Sequence, residues 1–320
     1  MKDQYSEPIQ IRPYQLLCIV CAAEAEAPEP GPAGLLAAIR EFPDRPVQFV
    51  CDAGGVYAWQ TPGEDDDPDA LRRCELRILQ RLDLPPGAIL PARTLLYRVL
   101  KAIPTIEDIC DPELVDCTGN YEACVARGIS AIIPERDPQE ALAEKERSME
   151  ALRTAERVTT RPHLLMCSVC QYGKGTRPPM ANDNLPELLQ IILTERPDLP
   201  ITLVRGADWL MCAPCPRRVP ELNACVNVAG SGGLSNELRD LDLLEILGLH
   251  YGDTLPAREL YLLLLDRVPV TTPVCARDNP GLSVWWDNCG ARDHADAQGN
   301  ANYRKGREEL LLLLEDKANA

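Results

Sequence analysis

The stretch Arg12-Pro13-Tyr14-Gln15-Leu16-Leu17-Cys18-Ile19-Val20-Cys21 recurs as Arg161-Pro162-His163-Leu164-Leu165-Met166-Cys167-Ser168-Val169-Cys170. Further along, Leu90-Pro91-Ala92-Arg93 recurs as Leu255-Pro256-Ala257-Arg258. At that same offset Cys110 falls on Cys275 and Cys124 on Cys289. Several matches in one order imply a small domain written twice. The chain has 320 residues, enough for each copy to bury a core of its own. The expected fold class is α/β: two tandem copies of a small βαβ-plus-helices domain, over 10–130 and 160–320. A charged helix over 137–158 joins them, and the chain is a pseudo-dimer of its own halves.

Each copy reads the same way. A short apolar strand is expected at Leu16 to Val20, and again at Leu164 to Val169. Helices follow near Ala33 to Phe42 and Leu185 to Thr194, then second strands at Val47 to Cys51 and Ile201 to Arg205. Two helices at apolar 3.6-residue spacing come next, the second opening at Leu-Pro-Ala-Arg. Strand, helix, strand with short connections predicts a βαβ unit with parallel strands. A last helix, Arg304 to Lys317, closes the chain.

The fourteen cysteines carry the chemistry. Read at strand ends, Cys18 and Cys21, and likewise Cys167 and Cys170, fall on the sheet edge where α/β sites form. In copy two, Cys212-Ala213-Pro214-Cys215 follows the second strand, so two Cys-x2-Cys pairs are expected to converge there. Two such pairs offer a tetrahedral four-sulfur set for iron or zinc. Copy one has Ala58 and Thr61 at the facing positions. Both copies share a second candidate set: Cys18, Cys21, Cys110 and Cys124, against Cys167, Cys170, Cys275 and Cys289. Cys117 and Cys225 are further candidate ligands. Cys51 and Cys74 read as buried apolar side chains.

Composition narrows the class. A net charge of −16 disfavours nucleic acid and anionic membrane surfaces as partners. Met1 to Gln10 has no basic n-region ahead of a long apolar run, and Leu310 to Leu314 is too short to span a bilayer. The expectation is a cytoplasmic protein, where cysteines are thiols or thiolate ligands rather than disulfides. Cys-x2-Cys after a strand also fits a dithiol oxidoreductase. In that chemistry the pair opens a helix, whereas Ala22 to Pro32 intervene here.

At these residues each half is similar to the bacterial and archaeal family called domain of unknown function 1284. Copy two carries the resemblance through Arg161 to Cys167, Asp208, Cys212 to Pro216, and Cys225. Copy one carries it through Cys110, Cys117, Cys124 and Gly128. The resemblance implies a metal role, iron–sulfur or other, carried by the cysteines, and no particular reaction. Copy one departs from the family at Tyr14 and in lacking the central pair. Copy two departs at Trp285-Trp286-Asp287-Asn288-Cys289.

Other features carry less. The chain has three histidines, and His163 reads as a satisfied core residue. Ala229 to Gly233 lacks the Lys-Ser/Thr ending of a phosphate loop. Glu64 to Asp69 does not match an EF-hand loop. The expected function is cysteine-ligated metal binding, iron–sulfur first, in electron transfer or redox sensing with an unidentified redox or protein partner. A structural zinc module is the alternative, and a dithiol oxidoreductase the third reading. Whether the chain is an enzyme stays open.

Overall fold

The computed structural model describes residues 7–23, 30–51, 69–110, 120–133, 136–219, 224–225, 234–275 and 300–316. It divides into two compact units, Met1–Glu135 and Arg136–Ala320. Each is mixed α/β, with a three-stranded sheet among helices.

Unit one runs β1 (Ile9–Ile11), α1 (Pro13–Ala23), α2 (Pro30–Glu41), β2 (Pro46–Phe49), α3 (Asp69–Leu82), β3 (Ile89–Pro91), α4 (Ala92–Ala102) and α5 (Tyr121–Arg127). Strand β1 pairs parallel with β2, Ile9 opposite Val47, and β3 pairs antiparallel, Leu90 opposite Val47. Unit two begins with α6 (Pro138–Thr154), β4 (Val158–Thr160), α7 (Pro162–Lys174), α8 (Leu185–Thr194), β5 (Pro200–Leu203) and α9 (Trp209–Cys212). A hairpin follows, β6 (Arg218–Val219) and β7 (Ala224–Cys225). Then come α10 (Leu234–Leu247), β8 (Thr254–Pro256), α11 (Ala257–Arg267), α12 (Thr272–Cys275) and α13 (Ala301–Asp316). Strand β4 pairs parallel with β5, Val158 opposite Ile201, and β8 pairs antiparallel, Leu255 opposite Ile201.

Two expectations are corrected. Leu16 to Val20 and Leu164 to Val169 are not strands; they lie inside α1 and α7. The strands come just before, at β1 and β4. These segments look strand-like because their helices are buried nearly all round: Leu16 through Ala22 are all buried. A short continuous apolar run does not distinguish a buried strand from a buried helix. Pro13 and Pro162 mark the true boundary, since each is the first residue of its helix, where the missing N–H costs nothing.

The second correction is a strand the periodicity hides. Leu90-Pro91 and Leu255-Pro256 end β3 and β8, and the helices open at the following alanines. This explains the Leu-Pro-Ala-Arg repeat as architecture. Arg93 grips Asp44 through Nε at 3.1 Å and an NH2 at 3.2 Å. Arg258 reaches both oxygens of Asp198 at 3.0 and 3.3 Å. The backbone repeats the tie: Arg93 N–H donates to Pro43 O at 2.7 Å and Arg258 N–H to Pro197 O at 2.8 Å.

The expected joining helix is α6, and it packs within unit two. Leu152 enters that unit's core. Lys145 Nζ donates to Asp183 O, Asn184 Oδ1 and Glu187 Oε1 at 2.8, 2.7 and 2.7 Å. The closing helix α13 crosses α7 at two glycines. A Cβ on Gly306 would stand 2.3 Å from Val169 O, and one on Gly173 would stand 1.8 Å from Asn302 O. The core of unit two depends on this close crossing, because Tyr303, Leu310 and Leu314 of α13 enter it.

Gly306→Ala is therefore expected to lower stability by about 1–3 kcal/mol, measured by urea unfolding of the full chain. Gly34→Ala in α2, where nothing lies within 4 Å, is the control and is expected to be neutral or slightly stabilising. An unchanged midpoint for Gly306→Ala would contradict the crossing.

Candidate metal centre

The sheet of each unit is tied to a helix by a buried arginine–carboxylate pair. In unit one, Arg12 follows β1 and meets Glu75 of α3 in a two-point contact: Nε to Oε1 at 2.7 Å and NH2 to Oε2 at 2.8 Å. The Arg12 guanidinium also stands 5.6 Å from the centroid of the Tyr14 ring. In unit two, Arg161 follows β4 and meets Asp240 of α10. Here Nε and NH2 both go to Oδ2, at 2.7 and 2.5 Å. The other oxygen, Oδ1, accepts from His163 twice, from the ring Nδ1 at 2.6 Å and from the backbone N–H at 3.0 Å.

Burial would discourage the charge on Asp240, but His163 and Arg161 offset it and hold the carboxyl below its usual range. Burial likewise opposes the Arg161 cation, and the charge and hydrogen bond of Asp240 outweigh it. For His163, burial wins. Helped by the Arg161 and Arg239 cations, it pushes the ring's pKa down despite Asp240. A carboxylate only accepts, so Nδ1 carries the proton that faces Asp240. The expectation of a satisfied core histidine holds for Nδ1. Nε2 has no hydrogen-bond partner among the described residues.

The thiol group lies beside this pair. Asp208 caps α9, its Oδ2 accepting from Met211 N–H at 3.1 Å and its Oδ1 from the Thr159 hydroxyl at 2.6 Å. The short helix ends at Cys212, and a turn bonds Cys215 N–H to Cys212 O at 3.0 Å. The chain then enters β6, whose Arg218 stands opposite Cys225 in β7. This hairpin returns Cys225 to the Cys-x2-Cys turn. Two sulfurs receive N–H donors: Cys215 Sγ from Arg217 N–H at 3.4 Å, and Cys225 Sγ from Asn236 Nδ2 at 3.2 Å. Burial, then Cys215 and Cys225, drive the Cys212 thiol well above its ordinary pKa. Burial, then Cys225, push Cys215 up to about 12. The three thiols thus stand within one another's electrostatic reach.

The other sequence-predicted ligands fall elsewhere. Cys18 and Cys21 are buried in α1, and Cys167 and Cys170 lie in α7, so neither pair is at a strand end as expected. Cys21 and Cys124 surround buried Tyr121, whose hydroxyl donates to Ile103 O at 2.8 Å; burial and then these thiols raise the phenol's pKa. Cys170 and Cys275 take the same part around Tyr303, whose hydroxyl donates to Val268 O at 2.8 Å. Asn300 Nδ2 donates to Cys170 Sγ at 3.6 Å. Three residues after each tyrosine stands Cys124 in unit one and Gly306 in unit two. Cys74, buried in α3, has its thiol pushed up to about 12 by burial first and Cys110 second. Cys51 is also buried. Gly128 ends α5 at φ 76°, a conformation that favours glycine.

Cys117 and Cys289 lie outside the described residues, as do Ala58, Thr61, Glu64 to Pro68, Ala229 to Gly233, Trp285 and Trp286. Among the described residues, no three His, Cys, Asp or Glu side chains converge closely enough to hold a metal ion as they stand. Nor is any described helix long and apolar enough to cross a membrane.

Sequence reasoning missed Asp183, Asn236, Arg239 and Asp240. Asp183 is buried behind the Cys-x2-Cys turn: Asn184 N–H donates to Met211 O at 3.0 Å, and Gln171 Nε2 donates to Asp183 Oδ2 at 2.7 Å. Burial pushes its carboxyl up to about 6. Only the spacing of Glu75 and Asp240 signalled anything, because they share the offset that links the two Leu-Pro-Ala-Arg sites. No family model matches the chain, and neither a curated protein nor a solved structure matches it.

Two outcomes follow for the buried charges. Asp240→Ala leaves Arg161 enclosed without its carboxylate and is expected to cost about 3–5 kcal/mol. Glu75→Ala is expected to cost less, since the Arg12 side chain is 19% exposed and can reach water. Urea unfolding of both variants checks the order, and equal losses would contradict it. For Asp183, the folded pKa of about 6 lies above the unfolded value near 3.9. The native state therefore binds the proton more tightly, and this group's contribution falls as pH rises from about 4 to about 6, by about 2–3 kcal/mol in all. Asp183→Asn is expected to remove that slope. It also offers an amide N–H to Gln171 Oε1, which has no hydrogen-bond partner among the described residues.

Proposed function

We propose that this chain is a cysteine-ligated metal-binding protein whose principal centre lies in unit two, on Cys212, Cys215 and Cys225. The reading is supported by the β6–β7 hairpin, which brings Cys225 back toward the capped Cys212–Cys215 turn, so that each thiol feels the charge of the others. The donor set fits a soft or borderline cation. Three sulfurs that oppose one another's ionisation are stabilised together by a shared positive ion, and N–H groups aimed at sulfur suit thiolate ligands. A cysteine re-aims its sulfur by rotation about a single bond, so ligation asks for rotamer changes rather than a new backbone.

Iron–sulfur chemistry is the first reading, in electron transfer or redox sensing with a redox or protein partner, in the cytoplasm and away from nucleic acid. Such a group, when bound, supplies a one-electron couple; the chain supplies thiolates, buried surroundings and N–H donors. Structural zinc is the second reading, favoured by the compactness of the turn and hairpin around three thiols. The dithiol reading is weaker. A thiol pushed to about 12 is a poor nucleophile at neutral pH, and the α1 and α7 pairs lie within helices rather than at their first turn.

The two units are read as diverged copies of one domain, related to the family called domain of unknown function 1284. Shared strand order, the paired arginine–carboxylate contacts and the paired tyrosine–carbonyl bonds support this. On this reading unit two keeps the centre.

The test is anaerobic purification of the full chain with an absorbance spectrum and elemental analysis. Iron with acid-labile sulfide and a brown colour is the expected result. A colourless protein with stoichiometric zinc would select the second reading. A folded protein that carries neither metal and takes up neither would overturn both.

A further inference from the structure

We propose that unit two carries a binding site for a small apolar carboxylate, in a groove between α7 and α8 with Arg177 at its mouth. The site does not depend on the metal reading.

The groove has a volume of about 360 Å³, within the range of small-molecule pockets. Helix α8 supplies one wall. Its Pro186, Leu189 and Leu193 are three and four residues apart and so share a face. Helix α7 supplies the other wall through Ser168 and Tyr172, one turn apart and about 6 Å along the axis. Gly175 ends α7 in the left-handed region, and the chain beyond it places Arg177 over the Tyr172 ring, Cζ 3.9 Å from the centroid.

The deciding group is Arg177. Its NH1 donates to Tyr172 O at 2.7 Å and to Thr176 O at 2.9 Å. Together with the ring, these bonds hold a long side chain in one place. Nε and NH2 have no partner among the described residues, and no described carboxylate pairs with the cation. That edge is the one with which Arg12 takes Glu75 and Arg93 takes Asp44. Its two parallel N–H groups match the two oxygens of a carboxylate. The chain has 49 acidic residues to 33 Lys and Arg, so a cation fixed in place yet left without an acid stands ready for a ligand's.

The floor adds a second requirement. Ser168 is only 1% exposed. Its hydroxyl donates to Leu165 O at 2.7 Å, so the Tyr261 hydroxyl, 2.8 Å away, donates to it. One lone pair of Ser168 Oγ remains to accept from a ligand hydroxyl. A carboxylate on Arg177, an apolar body against Leu189 and Leu193, and a hydroxyl donating to Ser168 define the class: a hydroxylated aryl monocarboxylate. At the matching positions of the Arg-Pro repeat, unit one has Ile19 and Ala23, so the helix itself does not require the serine or the tyrosine.

The probes are 4-hydroxyphenylacetate, phenylacetate and 4-hydroxyphenylacetamide, titrated calorimetrically into the full chain. The hydroxylated acid is expected to bind tightest, phenylacetate a few-fold more weakly, and the amide about 10-fold more weakly. Arg177 is exposed, so Arg177→Gln leaves the fold intact, as circular dichroism checks. It is expected to weaken the acid about 10-fold, to the level of the amide. Arg177→Lys keeps the charge without the paired N–H groups and is expected to lose nearly as much. Equal binding of the two acids would overturn the part given to Ser168, and full binding by Arg177→Lys the part given to the guanidinium edge. Acids that bind no better than the amide, that fail to bind at millimolar concentration, or that bind Arg177→Gln unchanged would overturn the site. A peptide ending in phenylalanine that binds more tightly than either free acid would overturn the small-ligand assignment.

Discussion

The buried pair between Arg161 and Asp240 is the contact on which unit two depends. It joins the end of β4 to the middle of α10 and so fixes the position of α7, which starts one residue later. Both partners are nearly removed from water, so each requires the other: an enclosed guanidinium or carboxylate alone is far more costly than the pair. Unit one builds the same join with Arg12 and Glu75. The join also explains why an Arg-Pro dipeptide heads both halves. The arginine ends the strand and reaches the helix, and the proline starts the next helix where its missing N–H is harmless.

A difference of one methylene separates the two joins chemically. Glu75 is long enough to meet both guanidinium nitrogens of Arg12 with both oxygens, and the contact is closed. Asp240 meets Arg161 with one oxygen only, and the other is free to organise His163. The same helix then carries Asn236 to Cys225. A contact that closes on itself in one unit thereby orders a buried imidazole in the other. Buried Asp183, next to Asn184, whose N–H donates to Met211 O, adds a carboxyl whose pKa burial pushes up to about 6.

Much of this was legible in the residues, and what was not has physical reasons. The mixed α/β class, α8, α13 and the second strands followed from pattern. The first strands did not, because Leu16–Val20 and Leu164–Val169 are short, nearly continuous apolar runs on which periodicity is silent. Pro13 and Pro162 were the usable signal. The third strands were hidden because a three-residue strand ending in proline leaves almost no pattern. For the site, Cys212, Cys215 and Cys225 were identified individually, but their meeting depends on a hairpin of two-residue strands that no propensity would find. Asn236 and Asp240 looked like ordinary polar residues on a helix; only burial distinguishes them.

The proposed metal centre resides on Cys212, Cys215 and Cys225. Native mass spectrometry of the anaerobically prepared full chain, set beside the Cys212→Ser, Cys215→Ser, Cys225→Ser triple variant, tests it directly. The variant is expected to stay folded and to lose one complete metal centre by mass. An unchanged metal complement in the folded variant would contradict it.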